Sequence, residues 1–227
     1  MILRIFSISL VLSLGLILGC NKDKVPCSTC PTGGGANCED IQKVKHFFYF
    51  KVGSWWVYEE ENSGLRDSVY VTSASENPSN YDFNVEVYST HQDYYYRYWP
   101  QLGGAVGSTC TENGIICGKC VTVFRSKYKP GDFVNQASCF LFQPNVGDKD
   151  LHFHPTIENY VHVSSVEDSI IIGLNTYSRT VVMFEDKTIM EGDQPTNHYF
   201  SENVGLVRKE LLDSNEVWNL VNYYIQQ

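Results

Sequence analysis

From about residue 43 onward, apolar and polar residues alternate with a period of two, and few folds can satisfy that pattern. In "RDSVYVTSA", Val69 and Val71 face one way and Ser68, Tyr70 and Thr72 the other. In "YDFNVEVYST", Phe83, Val85 and Val87 oppose Asn84, Glu86 and Tyr88. Such alternation marks a strand with one buried face. Further strand candidates are "HFFYFKV" (46–52), "SWWVYEEE", "DYYYRYW", "VTVFRSK", "SCFLFQ", "LHFHP", "NYVHVSSV", "SIIIGL", "SRTVVMFED", "NHYFSE", "GLVRKELL" and "EVWNLVNYYI". Turn chemistry separates them every ~8–12 residues, as at "NSG" (Asn62–Gly64) and "DSNE" (Asp213–Glu216). No segment carries an apolar stripe over three helical turns. The expectation is all-β: one antiparallel domain over residues 43–227, built as a curved sheet, sandwich or barrel-like structure.

What precedes the domain has a different texture. Met1 to Gly19 carries one charge, Arg4, and Ile5 to Leu18 is apolar apart from three serines. A positive start, an apolar run of this length and a small residue before a cut describe a secretory signal. The run ends Ile17-Leu18-Gly19-Cys20, which resembles the lipobox of bacterial lipoproteins. That resemblance implies a signal peptide over 1–19, cleavage after Gly19 and diacylglycerol on the sulfur of Cys20. More than one acyl chain makes such anchoring stable. An uncleaved transmembrane helix is the competing reading, and the serines and the placed Gly-Cys argue against it. Asn21, not Asp, follows the cysteine, so the expected location is the outer membrane, facing the periplasm or the cell surface. Residues 20–42, "CNKDKVPCSTCPTGGGANCEDIQ", lack hydrophobic periodicity and read as a flexible Cys- and Gly-rich tether.

Charge narrows the partners. Removing residues 1–19 takes away only Arg4 and moves the formal net charge from −9 to −10. An acidic chain without a basic stripe is a poor nucleic-acid binder, and none is expected. The chain has eight cysteines. With Cys20 acylated, Cys27, Cys30, Cys38, Cys110, Cys117, Cys120 and Cys139 are candidates for disulfides, which persist in exported proteins. Seven is odd, so one thiol is free or pairs elsewhere. Two bridges among Cys110, Cys117, Cys120 and Cys139 would staple a long Gly-rich excursion. "CSTC" and "CGKC" also suit a zinc site or a redox pair, but they lie far apart, and the second runs into a strand instead of opening a helix.

Two patches carry a family resemblance. "FKVGSWWVYEEENSGLRDSVYV" contains Phe50-x-x-Gly53-x-x-Trp56-x-Tyr58, and "YFSENVGLVRKELL" contains Val204-Gly205-Leu206-Val207-Arg208. Both are similar to the domain start and closing hairpin of uncharacterised Bacteroidetes-type secreted lipoproteins. The resemblance implies an all-β domain on a lipid anchor and assigns no chemistry. Read physically, both patches are scaffold, and a C-terminal hairpin pairing with the first strands would remove a sheet edge.

Candidate sites are few. "DYYYRYWP" (Asp93–Pro100) sets Tyr94, Tyr96 and Tyr98 on one face of a strand and Tyr95, Arg97 and Trp99 on the other. Tyr94, Tyr96, Tyr98 and Trp99 are the candidate ligand-binding residues, since aromatic rings beside polar groups suit sugar rings; a two-sided core is the alternative. His152 and His154 could share a metal with His162, but no acidic partner is placed by spacing. The acidic loops "GDKD" and "EDKTIMEGD" miss the EF-hand spacing. His-Glu-x-x-His, Gly-x-Ser-x-Gly, the P-loop and the dinucleotide fingerprint are absent from the sequence. Accordingly no catalytic residue, metal or cofactor is assigned. The expected role is non-enzymatic binding or structure in the envelope, with the membrane, an envelope protein or a glycan as partner; the alternative is a glycan-binding protein or glycan hydrolase.

Overall fold

The structure is a computed structural model and describes residues 44–77, 82–102, 119–126, 134–141, 149–151, 160–186 and 194–226. Among the described residues, twelve strands follow one short helix: β1 (Trp55–Glu60), β2 (Arg66–Asn77), β3 (Asp82–Ser89), β4 (Tyr94–Leu102), β5 (Lys119–Ser126), β6 (Val134–Leu141), β7 (Lys149–Leu151), β8 (Tyr160–Ile172), β9 (Asn175–Glu185), β10 (Thr196–Ser201), β11 (Gly205–Leu211) and β12 (Glu216–Tyr224). They form a single antiparallel sheet in the order β6-β5-β4-β3-β2-β1-β12-β11-β10-β9-β8-β7. The nine strands from β4 round to β8 curl into a half-barrel, and the domain is all-β as the alternation predicts. "NYVHVSSV" and "SIIIGL" are not two strands but one, β8, thirteen residues long.

Curling follows from irregularities in the ladder. Register shifts occur at Val57/Tyr58, Val71/Ser73, Val163/Ser165 and Tyr199/Phe200. Each bulge bends its strand and raises the local twist, so the sheet wraps around its inner face. The alternation decides what that face carries. Trp56, Tyr58, Val71, Phe83, Val85, Val87, Val163, Met183, Phe200, Val207 and Leu220 are all buried there. Each such side chain contributes roughly 1.5–3 kcal/mol by leaving water. The C-terminal strand closes onto the first, with Trp55 opposite Tyr224 and Glu60 opposite Trp218.

One expectation is corrected. "HFFYFKV" is not a strand: residues 44–48 form a short helix, α1, and the chain then runs irregularly to Ser54. The helix lies against the inner face, with Val44 and Phe48 buried and Phe50 behind them. Both edges of β1 are already taken, by β2 and β12, so a strand here could not pair with the strand that follows it. Inside a half-barrel the segment must satisfy its own backbone, and Tyr49 N–H donates to the Lys45 carbonyl at 3.0 Å.

The two patches singled out in the sequence meet at this end. Phe50 packs edge-on against Trp56, centroids 5.0 Å apart, and over Gly205, whose φ is 89°. A Cβ at Gly205 would stand 3.0 Å from the Phe50 ring and on a left-handed φ, so any other residue there is strained. β11 pairs with β12 only from Arg208 to Leu211. Ahead of that stretch, the Trp56 indole donates to the Val204 carbonyl at 2.6 Å and the Tyr58 phenol to Leu206 at 2.8 Å. Asn203, in the β10–β11 turn, ties down α1: its N–H donates to the His46 carbonyl at 2.6 Å and its side chain bonds the His46 ring at 2.8 Å.

At the opposite end Glu60 organises the β1–β2 turn. Its carboxylate accepts from the backbone N–H groups of Asn62 and Ser63, from the Ser63 hydroxyl, and from Val217 N–H of the neighbouring strand. Hydrogen bonds from Ser63 chiefly hold its carboxyl down at about 2, against an ordinary 4.5. A carboxyl depressed on folding stabilises the fold above its unfolded value, and that contribution is lost as pH falls from 4.5 through about 2. Urea titrations across that window are expected to show the wild type losing stability more steeply than Glu60→Gln. Parallel curves would refute this role.

Candidate ligand-binding cavity

The half-barrel encloses a cavity of about 350 Å3. Its floor, towards α1, is aromatic: Phe48, Phe50, Trp56, Tyr58, Tyr98 and Phe200 line it. Phe48 holds that floor together, with its ring 4.8 Å from Phe200 and 5.6 Å from Tyr98. The mouth lies at the other end, near the β3–β4 and β11–β12 turns. There the lining turns polar, with Asp67, His91, Gln92, Glu185, His198, Lys209 and Glu216 beside Trp218 and Leu211.

Each polar group at the mouth has a structural origin. Asp67 is 6% exposed and sits on the inward parity of β2, in step with Val69 and Val71. Its carboxylate accepts from the Ser89 hydroxyl at 2.7 Å, from His91 N–H at 2.9 Å and from the Thr90 hydroxyl at 3.4 Å. Its negative charge, together with dominant burial, helps to push the Tyr58 phenol well above the usual range. Glu185 and His198, diagonal neighbours on the paired strands β9 and β10, form a buried pair with Nε2 and Oε2 2.7 Å apart. Trp218 is shared three ways: the His91 ring lies 4.9 Å from its centroid, the Lys209 ammonium 5.8 Å, and its indole donates to Glu216 at 3.2 Å. Gln92 accepts from the Tyr96 hydroxyl.

The sequence candidates divide. Tyr94, Tyr96 and Tyr98 all line the cavity, along the β4 wall. Tyr95 faces outward and stacks on Tyr88 at 4.7 Å, which meets Tyr70 at 5.6 Å, so the two-sided aromatic strand does serve two surfaces. Trp99 stands opposite Thr122 of β5, and its side chain lies outside the described residues. Cys20, Cys27, Cys30, Cys38, Cys110 and Cys117 also lie outside the described residues. Cys120 and Cys139 stand on adjacent strands, with Cys120 opposite Leu141 and Cys139 opposite Thr122. His152 and His154 are likewise outside, while His162 packs on Phe184 at 4.9 Å. Among the described residues no group of three His, Cys, Asp or Glu side chains could hold a metal ion.

Asp67, Glu185, His198, Lys209 and Trp218 were not singled out by sequence reasoning as cavity residues. A usable signal was present for one of them: Asp67 occupies the parity that β2 otherwise gives to Val69 and Val71, whereas His198 shares its parity with Thr196 as well as Phe200. A polar side chain on a buried parity must find hydrogen bonds or face a cavity. Comparison with known proteins gave no matching family model, curated protein or solved structure.

Proposed function

We propose that this protein is a non-enzymatic binding protein of the bacterial cell envelope, lipid-anchored through Cys20, whose half-barrel takes up a small ligand with a largely apolar body. The observation that carries the reading is the aromatic-floored cavity with its polar mouth. A volume of about 350 Å3 falls within the roughly 300–1,000 Å3 of small-molecule sites, and apolar walls with a few placed polar groups are the usual lining of such sites. Binding fits better than glycan hydrolysis, because the two buried carboxylates of the cavity lining are engaged within the protein, Asp67 by three donors and Glu185 by His198. Val44 begins α1 at the floor, away from the mouth.

The test is uptake of the uncharged dye N-phenyl-1-naphthylamine, read as dye emission and as tryptophan quenching. The expected result is saturable, one-to-one uptake by the wild type. Leu211→Trp, which fills the mouth at a half-buried position, is expected to weaken uptake at least about tenfold, the order of 1.4 kcal/mol, with an unchanged melting transition. Dye uptake indifferent to that substitution would place binding elsewhere.

A further inference from the structure

Asp67 is a buried carboxylate on the cavity wall whose hydrogen bonds all come from neutral donors: two hydroxyls and a backbone N–H. A carboxylate withdrawn from water ordinarily acquires a cation as well. Around it the described lining carries three further acids, Glu185, Asp186 and Glu216, against a single lysine, Lys209, and two histidines. The lining between these charges is rich in aromatic side chains, whose ring faces attract cations through their quadrupoles. The protein already makes that contact itself, with the Lys209 ammonium held over the Trp218 ring.

We propose that the ligand is an organic cation: an ammonium group on an apolar body, with Asp67 as its counter-ion and the aromatic wall around it. This rests on the cavity being the ligand site and adds the chemical class of what fills it. The apolar body enters the aromatic floor and the charge stays at the depth of Asp67. An anionic head group of the same size would be driven against four carboxylates. Lys209 is a tethered competitor for the same field, so its removal favours the ligand.

The experiment compares three probes of similar shape on the full chain by calorimetry and tryptophan quenching: benzyltrimethylammonium, its uncharged carbon isostere neopentylbenzene, and the anion phenylacetate. The cation is expected to bind about tenfold more tightly than the isostere. Asp67→Asn is expected to abolish that preference while leaving the isostere's affinity within about twofold. Lys209→Gln is expected to shift the cation's affinity the opposite way, towards tighter binding, which a general loosening of the fold would not do. Should Asp67→Asn fold poorly, Glu216→Gln at the half-buried rim serves instead, with a smaller loss of the same sign. Equal affinity for cation and isostere, or tighter binding of phenylacetate, overturns the cation assignment and leaves the binding cavity standing. Failure of all three probes and of N-phenyl-1-naphthylamine brings down both.

Discussion

Replacing His198 by leucine while Glu185 stays in place is expected to cost about 3–5 kcal/mol of folding stability. The two side chains are 9% and 3% exposed, and Nε2 of His198 lies 2.7 Å from Oε2 of Glu185. Removing one member strands a buried polar group without the partner that compensates its desolvation, and that penalty exceeds the value of the bond itself. The same reasoning makes a sharper statement about the double change. Glu185→Leu with His198→Leu removes both buried polar groups, so it is expected to be less destabilising than either single substitution. Urea-induced unfolding at neutral pH, with midpoint and slope fitted separately, checks both. Additive losses would show that the pair is not a coupled unit.

The second large effect concerns the helix that stops the half-barrel. Phe48→Ala is expected to destabilise by about 3–5 kcal/mol, the range for deleting a buried aromatic ring. Phe48 is 4% exposed and touches both Tyr98 and Phe200, so its loss removes the contact that joins α1 to two walls of the cavity. The void opens into the existing cavity, and the floor cannot collapse to refill it, because β4 and β10 are held apart by the strands between them. Thermal melting followed by near-UV circular dichroism gives the measurement. Ile171→Ser is the control: Ile171 is 75% exposed at the end of β8, and a change of no more than about 0.5 kcal/mol is expected there. A similar loss for both would mean that α1 is not packed into the sheet as described.

Both effects trace to the same feature of the fold: the inner face is too large for its own side chains to fill. A flat sheet would hide its apolar face under a second layer. Here a single sheet curls, one end is stopped by Phe48 and Phe50, and polar residues line the other. The tyrosines of "DYYYRYWP" show how the two scales of information combine. Their alternation on β4 was plain in the sequence, and so was the prospect of a wall of rings. That the wall faces Trp218 and Phe200, from strands more than a hundred residues away, depends on the strand order.

Alternation at period two is a local property of the chain, set by the pleat of a strand, and it fixed the all-β class, the inward residues of β2 and β3 and the turns at Asn62–Gly64 and Asp213–Glu216 without reference to anything distant. The pairing of the first strand with the last was also within reach, because a closing hairpin removes an exposed edge. What only the tertiary structure decided is what lies inside the curl. Residues 44–48 became a helix on the inner face beside β1, whose two edges are both paired, and Asp67, Glu185 and His198 became cavity residues because the curled sheet brings β2, β9 and β10 around a common space. Both outcomes depend on contacts between residues far apart in sequence, which no local pattern encodes.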